Sequence, residues 1–208
     1  LGRMHYFDIS IFVILTFCVF FSYFLIIGTW LTILFIKRPK HIDPPPGLKV
    51  AFITCFVPGK EPISMLEETL LAMKDADYQH DTWVLDEGND QEVIDLCKKI
   101  GVKHFSRKDK EHYNQTHGSF KAKTKAGNLN SWRNEHEHEY DIVAQLDMDH
   151  VPHKDYLTKQ LGYFSDPQVG YVVAPQIYKN TDNWISRGAA EQTYYYYGPL
   201  QQGFYGMD

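Results

Sequence analysis

Residues 11–36 run for 26 positions without a single charge. A bilayer core takes about 20 apolar residues as a helix, so this run can span one with some tilt. Trp30 stands near one end, where interfacial aromatics collect. A cleaved leader fits less well, because the run is too long and lacks a small-residue cleavage site. The chain therefore divides into a short flank (1–10), a transmembrane helix (11–36), a basic and proline-rich linker (37–47) and a folded domain (48–208). Lys37, Arg38 and Lys40 follow the run at once, whereas only Arg3 is clearly positive before it. The excess of positive charge places the domain in the cytoplasm. The linker contains Asp-Pro-Pro-Pro-Gly at 43–47, a stiff and extended spacer.

The domain has about 160 residues, enough for one α/β unit with a real core. The net charge of −5 argues against a nucleic-acid binder that relies on phosphate contacts. The three cysteines, Cys18, Cys55 and Cys97, form no C-x-x-C pair, which leaves neither a disulfide framework nor a zinc knuckle.

Hydrophobic patterning alternates strands with helices. Residues 49–57 (KVAFITCFV) read as a first strand, closed by the breaker-rich loop Pro58-Gly59-Lys60-Glu61-Pro62. Residues 64–74 carry Met65, Leu66, Thr69, Leu70 and Met73 on one helical face, and Ser64 with Glu67 forms a capping-box pattern. A strand over 82–85 ends in Asp86-Glu87-Gly88. A helix over 90–100 is closed by Gly101. A strand over 102–106 leads to Arg107, and 108–118 is a polar loop holding a formal glycosylation sequon at Asn114. A helix is expected around 129–134, a strand over 142–146, a helix over 155–164 and a last strand over 169–174. The stretch 135–139 (EHEHE) reads as a solvated helix end rather than a metal tract. Residues 177–208 are polar and aromatic, with four tyrosines in a row at 194–197, and suit either an interfacial amphipathic helix or packing under another segment. This order predicts a mostly parallel sheet with helices on both faces.

In such a sheet the ends of successive strands share one edge, where open α/β folds bind ligands. Three of those ends are acidic or loop-forming: 58–61, 86–87 and 147–149. Asp147 and Asp149 are spaced to reach one hard cation, Mg²⁺ or Mn²⁺, and to hold it against a diphosphate. His150 is either a further ligand or a loop histidine packed beside Pro152. Asp86 can accept from a base or ribose. Lys125, in a Lys-Ala-Gly-Asn turn, can reach a phosphate or the sugar next to it. The chemistry these groups suit is departure of a nucleoside diphosphate. Neither a Gly-x-Gly-x-x-Gly nor a Gly-Lys-Ser/Thr phosphate loop occurs, which disfavours a dinucleotide dehydrogenase or an NTPase.

Six stretches, 50–62 (VAFITCFVPGKEP), 66–71 (LEETLL), 84–88 (VLDEG), 125–130 (KAGNLN), 145–152 (QLDMDHVP) and 169–180 (VGYVVAPQIYKN), resemble the processive, membrane-bound family-2 glycosyltransferases of the cellulose-synthase-like group. The resemblance implies a GT-A nucleotide-sugar domain and inverting transfer from a UDP-sugar to a growing polysaccharide at the cytoplasmic face. By position, Asp86 would meet the uridine, Lys125 the diphosphate, and Asp147 with Asp149 the metal and UDP. Glu61 would join the donor-binding residues, and Gln176 would line the donor or acceptor path. Two loops depart from the family: Pro58-Gly59-Lys60-Glu61 replaces a Pro-Thr-Tyr-Asn-Glu type loop, and Asp86-Glu87-Gly88 replaces Asp-Asp-Gly. The family's catalytic base, in a Thr-Glu-Asp motif, and its Gln-x-x-Arg-Trp motif are expected beyond Asp208, so the chain is expected to be a fragment that does not turn over alone. A non-processive transferase acting on a lipid acceptor, and a non-catalytic nucleotide-sugar-binding subunit, are the competing readings.

Overall fold

The computed structural model describes residues 6–207. Two compact units are present, one over Ile42–Val172 and the other combining the described parts of 1–41 and 173–208. The unit around the sheet runs from Ile42 to Val172.

The first unit is built on four parallel strands, β1 (Val50–Phe56), β2 (Asp81–Asp86), β3 (Lys103–Phe105) and β4 (Ile142–Asp147), in the order β3-β2-β1-β4. The central β1, Val-Ala-Phe-Ile-Thr-Cys-Phe, is rich in β-branched and aromatic residues and buried on both faces. Its side chains alternate between two cores. Val50, Phe52 and Phe56 pack with Leu66, Leu70 and Met73 of α2 (Ile63–Lys74), Val93 and Cys97 of α3 (Gln91–Ile100), and Leu157 and Leu161 of α5 (Tyr156–Leu161). Ala51 and Ile53 turn the other way, to Trp83, Leu85, Phe105 and Trp132 of α4 (Lys125–His136). Helices thus cover both faces, as the strand–helix alternation predicts.

Several boundaries differ from expectation. The Ser64–Glu67 capping box does not form, because α2 begins one residue earlier with Pro62 at its cap and Ser64 already inside the first turn. For α3 the expected punctuation holds: the Asp90 carboxylate accepts from Glu92 N, and Gly101 closes the helix in the left-handed conformation at φ 76°. The helix expected at 129–134 extends over Lys125–His136, with Thr124 as its cap. The polar loop contains a 3₁₀ turn, Glu111–Tyr113, whose tyrosine is buried. No strand forms over 169–174, where Tyr171 and Val173 are exposed. A strand needs a ladder partner for its backbone groups, and among the described residues β4 pairs only with β1. The Glu135–Glu139 run pairs its charges with Lys110 of the polar loop, with Arg133 and within itself (His136–Glu139), while the His136 ring packs on Trp83 and Trp132. The proline-rich linker lies on its unit: Tyr78 donates to Pro45 O and accepts from Leu48 N.

In the second unit, α1 (Tyr6–Ile33) contains one segment long and apolar enough to cross a membrane, Asp8–Ile33. Three of its hydroxyls bond back to the helix, Ser22 to Cys18 O, Thr29 to Leu25 O and Thr32 to Thr29 O, which softens their polarity at the surface. Residues 184–207 form α6 (Trp184–Tyr195), a wider π turn over Tyr196–Leu200 that accommodates Pro199, and α7 (Gln201–Met207). Gly203 and Gly206 of α7 face the Thr32 and Phe35 carbonyls, where any Cβ would overlap.

Candidate donor-binding site

Strand register brings the predicted residues to one edge. Phe56 lies opposite Asp86, and Cys55 opposite Asp147, so the three acidic or loop-forming ends leave the sheet at nearly one level. The acidic pair owes its presentation to the residue between its members. Met148 is 2% exposed and belongs to the larger core, and its carbonyl accepts a 2.7 Å hydrogen bond from the buried Thr69 hydroxyl. With Met148 anchored inward, Asp147 and Asp149 both face solvent. A turn follows, in which His150 N donates to Asp147 O at 3.0 Å. Ligand atoms of Asp147, Asp149 and His150 all lie within 4.8 Å of one another. Two carboxylates and an imidazole at that spacing suit a hard divalent cation.

Lys125 is the first residue of α4, not part of a free turn. Thr124 Oγ1 caps the helix by accepting from Gly127 N at 3.1 Å. From that position the Lys125 ammonium pairs with the Asp147 carboxylate. Both partners are about half exposed, at 47% and 53%, and exposed pairs of this kind are worth about 0–1 kcal/mol. Lys125 is therefore readily available to a phosphate oxygen. Cys55, beside them, is held as a thiol: burial pushes it up to about 11, against the pull of the Lys125 charge.

Asp86 departs from its expected role. It is fully buried, and its oxygens accept from Gly88 N at 2.8 Å and Asp90 N at 2.6 Å, with His104 Nε2 3.2 Å from the second. Its carboxylate shapes the loop after β2 and presents no open oxygen to a ligand. Glu61 is half-buried in the loop after β1, and that loop touches the β2 loop directly, since a Cβ on Gly88 would overlap Pro58. Gln176 belongs to the second unit and is exposed in a stretch without regular structure.

Sequence reasoning missed Arg107, Thr69 and His104 here. Thr69 reads only as one position on the buried face of a helix and His104 has no spacing pattern; the placement of Arg107 just after a strand alone hinted at this edge.

No family model matches the chain. Curated relatives do. Cellulose synthase catalytic subunits (UDP-forming) from Pseudomonas fluorescens and Xanthomonas axonopodis pv. citri are 29% and 27% identical over 163 and 161 residues, 73% of this chain in each case. Cellulose synthase 2 of Novacetimonas hansenii is 25% identical over 161 residues. The chain spans 20% of the length of the first two relatives and 9% of the third. Among solved structures it is similar to a mannosyltransferase from Pyrobaculum calidifontis in complex with GDP-Man and Mn²⁺, with a TM-score of 0.49 and 18% identity over 72% of this chain and 43% of that one.

Proposed function

We propose that the strand-end cluster binds the diphosphate of a UDP-sugar together with Mg²⁺ or Mn²⁺. The chain then supplies the donor half of an inverting glycosyltransferase that extends a polysaccharide at the cytoplasmic face of a membrane. The observation that carries this reading is the convergence of Asp147, Asp149, His150 and Lys125 on one sheet edge. Asp147 and Asp149, with His150, would hold the cation. A cation so held offsets negative charge developing on a leaving phosphate oxygen. Lys125 exchanges its exposed partner Asp147 for a phosphate oxygen, adding a second positive charge from a helix start, where backbone N–H groups also favour anions. The loop after β2, fixed from within by Asp86, forms one wall for the nucleoside, and the loop bearing Glu61 faces it. This reading assigns donor binding to the chain and assigns none of its residues to deprotonating the acceptor.

Titration calorimetry of the full chain in detergent micelles, with UDP, tests the proposal. Binding is expected with Mn²⁺ and not with EDTA, and Asp149→Ala is expected to weaken it at least tenfold, since the diphosphate charge then faces a poorly held cation. A folded wild-type chain, shown by a circular-dichroism melt, that binds no UDP in Mn²⁺ would overturn the reading. Equal binding in EDTA would remove the metal from it.

A further inference from the structure

Arg107 follows β3 at the same sheet edge, and its side chain is fully buried. All five of its N–H donors are directed at acceptors. Nε and Nη2 form a fork on Glu87, at 3.0 and 2.8 Å. Nη1 donates to Tyr113 O at 2.9 Å and Lys121 O at 3.1 Å, and the second Nη2 hydrogen to Thr124 O at 3.1 Å. A guanidinium is costly to bring out of water, and the cost is offset only when its donors are all satisfied. Here satisfaction comes from two sources that the sequence keeps apart. Glu87 neighbours Asp86 in the loop after β2. Thr124 is the cap of α4, one residue before Lys125. Gly127 completes the arrangement, because a Cβ there would overlap Lys121 O and the Arg107 guanidinium.

We infer that Arg107, locked by Glu87, is a positioning residue of the donor site, setting the start of α4 so that the Lys125 ammonium stands over Asp147. A buried apolar residue would fill the same space without joining the two loops. The planar fork joins them, and the flexible ammonium of a lysine, with three donors, cannot serve Glu87 and three carbonyls together. This inference rests on the donor-site reading above.

The test is a double-mutant cycle on UDP binding in Mn²⁺, using the full chain in micelles and the variants Arg107→Lys, Lys125→Ala and the pair. Arg107→Lys is expected to weaken UDP about tenfold, and to weaken it by less than about twofold when Lys125 is already alanine, because coupled groups are non-additive. Glu87→Gln, which leaves the three carbonyl bonds in place, is expected to show the same coupling with Lys125→Ala if Arg107→Lys fails to fold. A lowered melting temperature with additive or absent effects on UDP would mean that Arg107 only stabilises the fold, and would overturn the inference. A wild-type chain that binds no UDP would instead overturn the donor-site reading beneath it.

Discussion

Met148 decides where its two acidic neighbours point. Its side chain is committed to the core and its carbonyl to Thr69, so the backbone on either side can only turn Asp147 and Asp149 outward. Met148→Ala is expected to cost about 2–5 kcal/mol in urea denaturation, the range for a buried methionine truncated to alanine. It is also expected to weaken Mn²⁺-dependent UDP binding, although Met148 touches neither. A loss of stability with unchanged binding would show that the Asp-x-Asp turn holds its shape without the anchor. At this scale the sequence was legible where chemistry has a pattern. Asp147, Asp149 and Lys125 stand in short motifs, and the structure brings them together with His150. Arg107 carries no pattern, and the patterns that hold Glu87 and Thr69 do not name their partners, which are backbone carbonyls or side chains tens of positions away. Asp86 was seen as an acid at a strand end; that its oxygens are met by Gly88 N, Asp90 N and His104 of β3 follows from burial, which no residue type announces.

Among the elements, α4 shows how a local rule can point the wrong way. Gly127 sits in its first turn, and in an exposed helix a glycine-to-alanine change gains about 1 kcal/mol from propensity alone. Here the added methyl would overlap Lys121 O and Arg107 Nη1. Gly127→Ala is therefore expected to lower the melting temperature, with a cost of about 1–3 kcal/mol typical of overpacking. A rise would mean that the Arg107 bracket is softer than its hydrogen bonds indicate. The same glycine made the start of α4 hard to read, since it resembled a turn while Thr124 was the true cap. Strands β1, β2 and β4 were legible because short, mostly apolar runs are bounded by polar or loop-forming residues. Residues 169–174 have the same composition but no described partner, and composition reports a capacity for pairing rather than the presence of a neighbour.

For the whole molecule the governing asymmetry is charge beside the apolar helix. Lys37, Arg38 and Lys40 follow the Asp8–Ile33 span closely, and residues 192–207 carry no charge at all. On the proposed reading the sheet-bearing unit belongs in the cytoplasm with its UDP-sugar donor, and the positive-inside rule agrees with that side. Asn114 is a formal sequon but a weak reporter of sidedness, because its Nδ2 donates to Arg107 O at 2.7 Å and Lys110 O at 3.0 Å. His117 is exposed, and His117→Asn creates a second sequon ahead of Gly118 and Ser119. Expressed in microsomes, that variant is expected to stay unmodified, whereas an N-terminal tag carrying a sequon is expected to gain a glycan. A mobility shift of His117→Asn that an endoglycosidase reverses would place the unit on the lumenal side. The donor site would then face the wrong compartment, and the basic cluster after the span would need a partner other than the cytoplasmic leaflet.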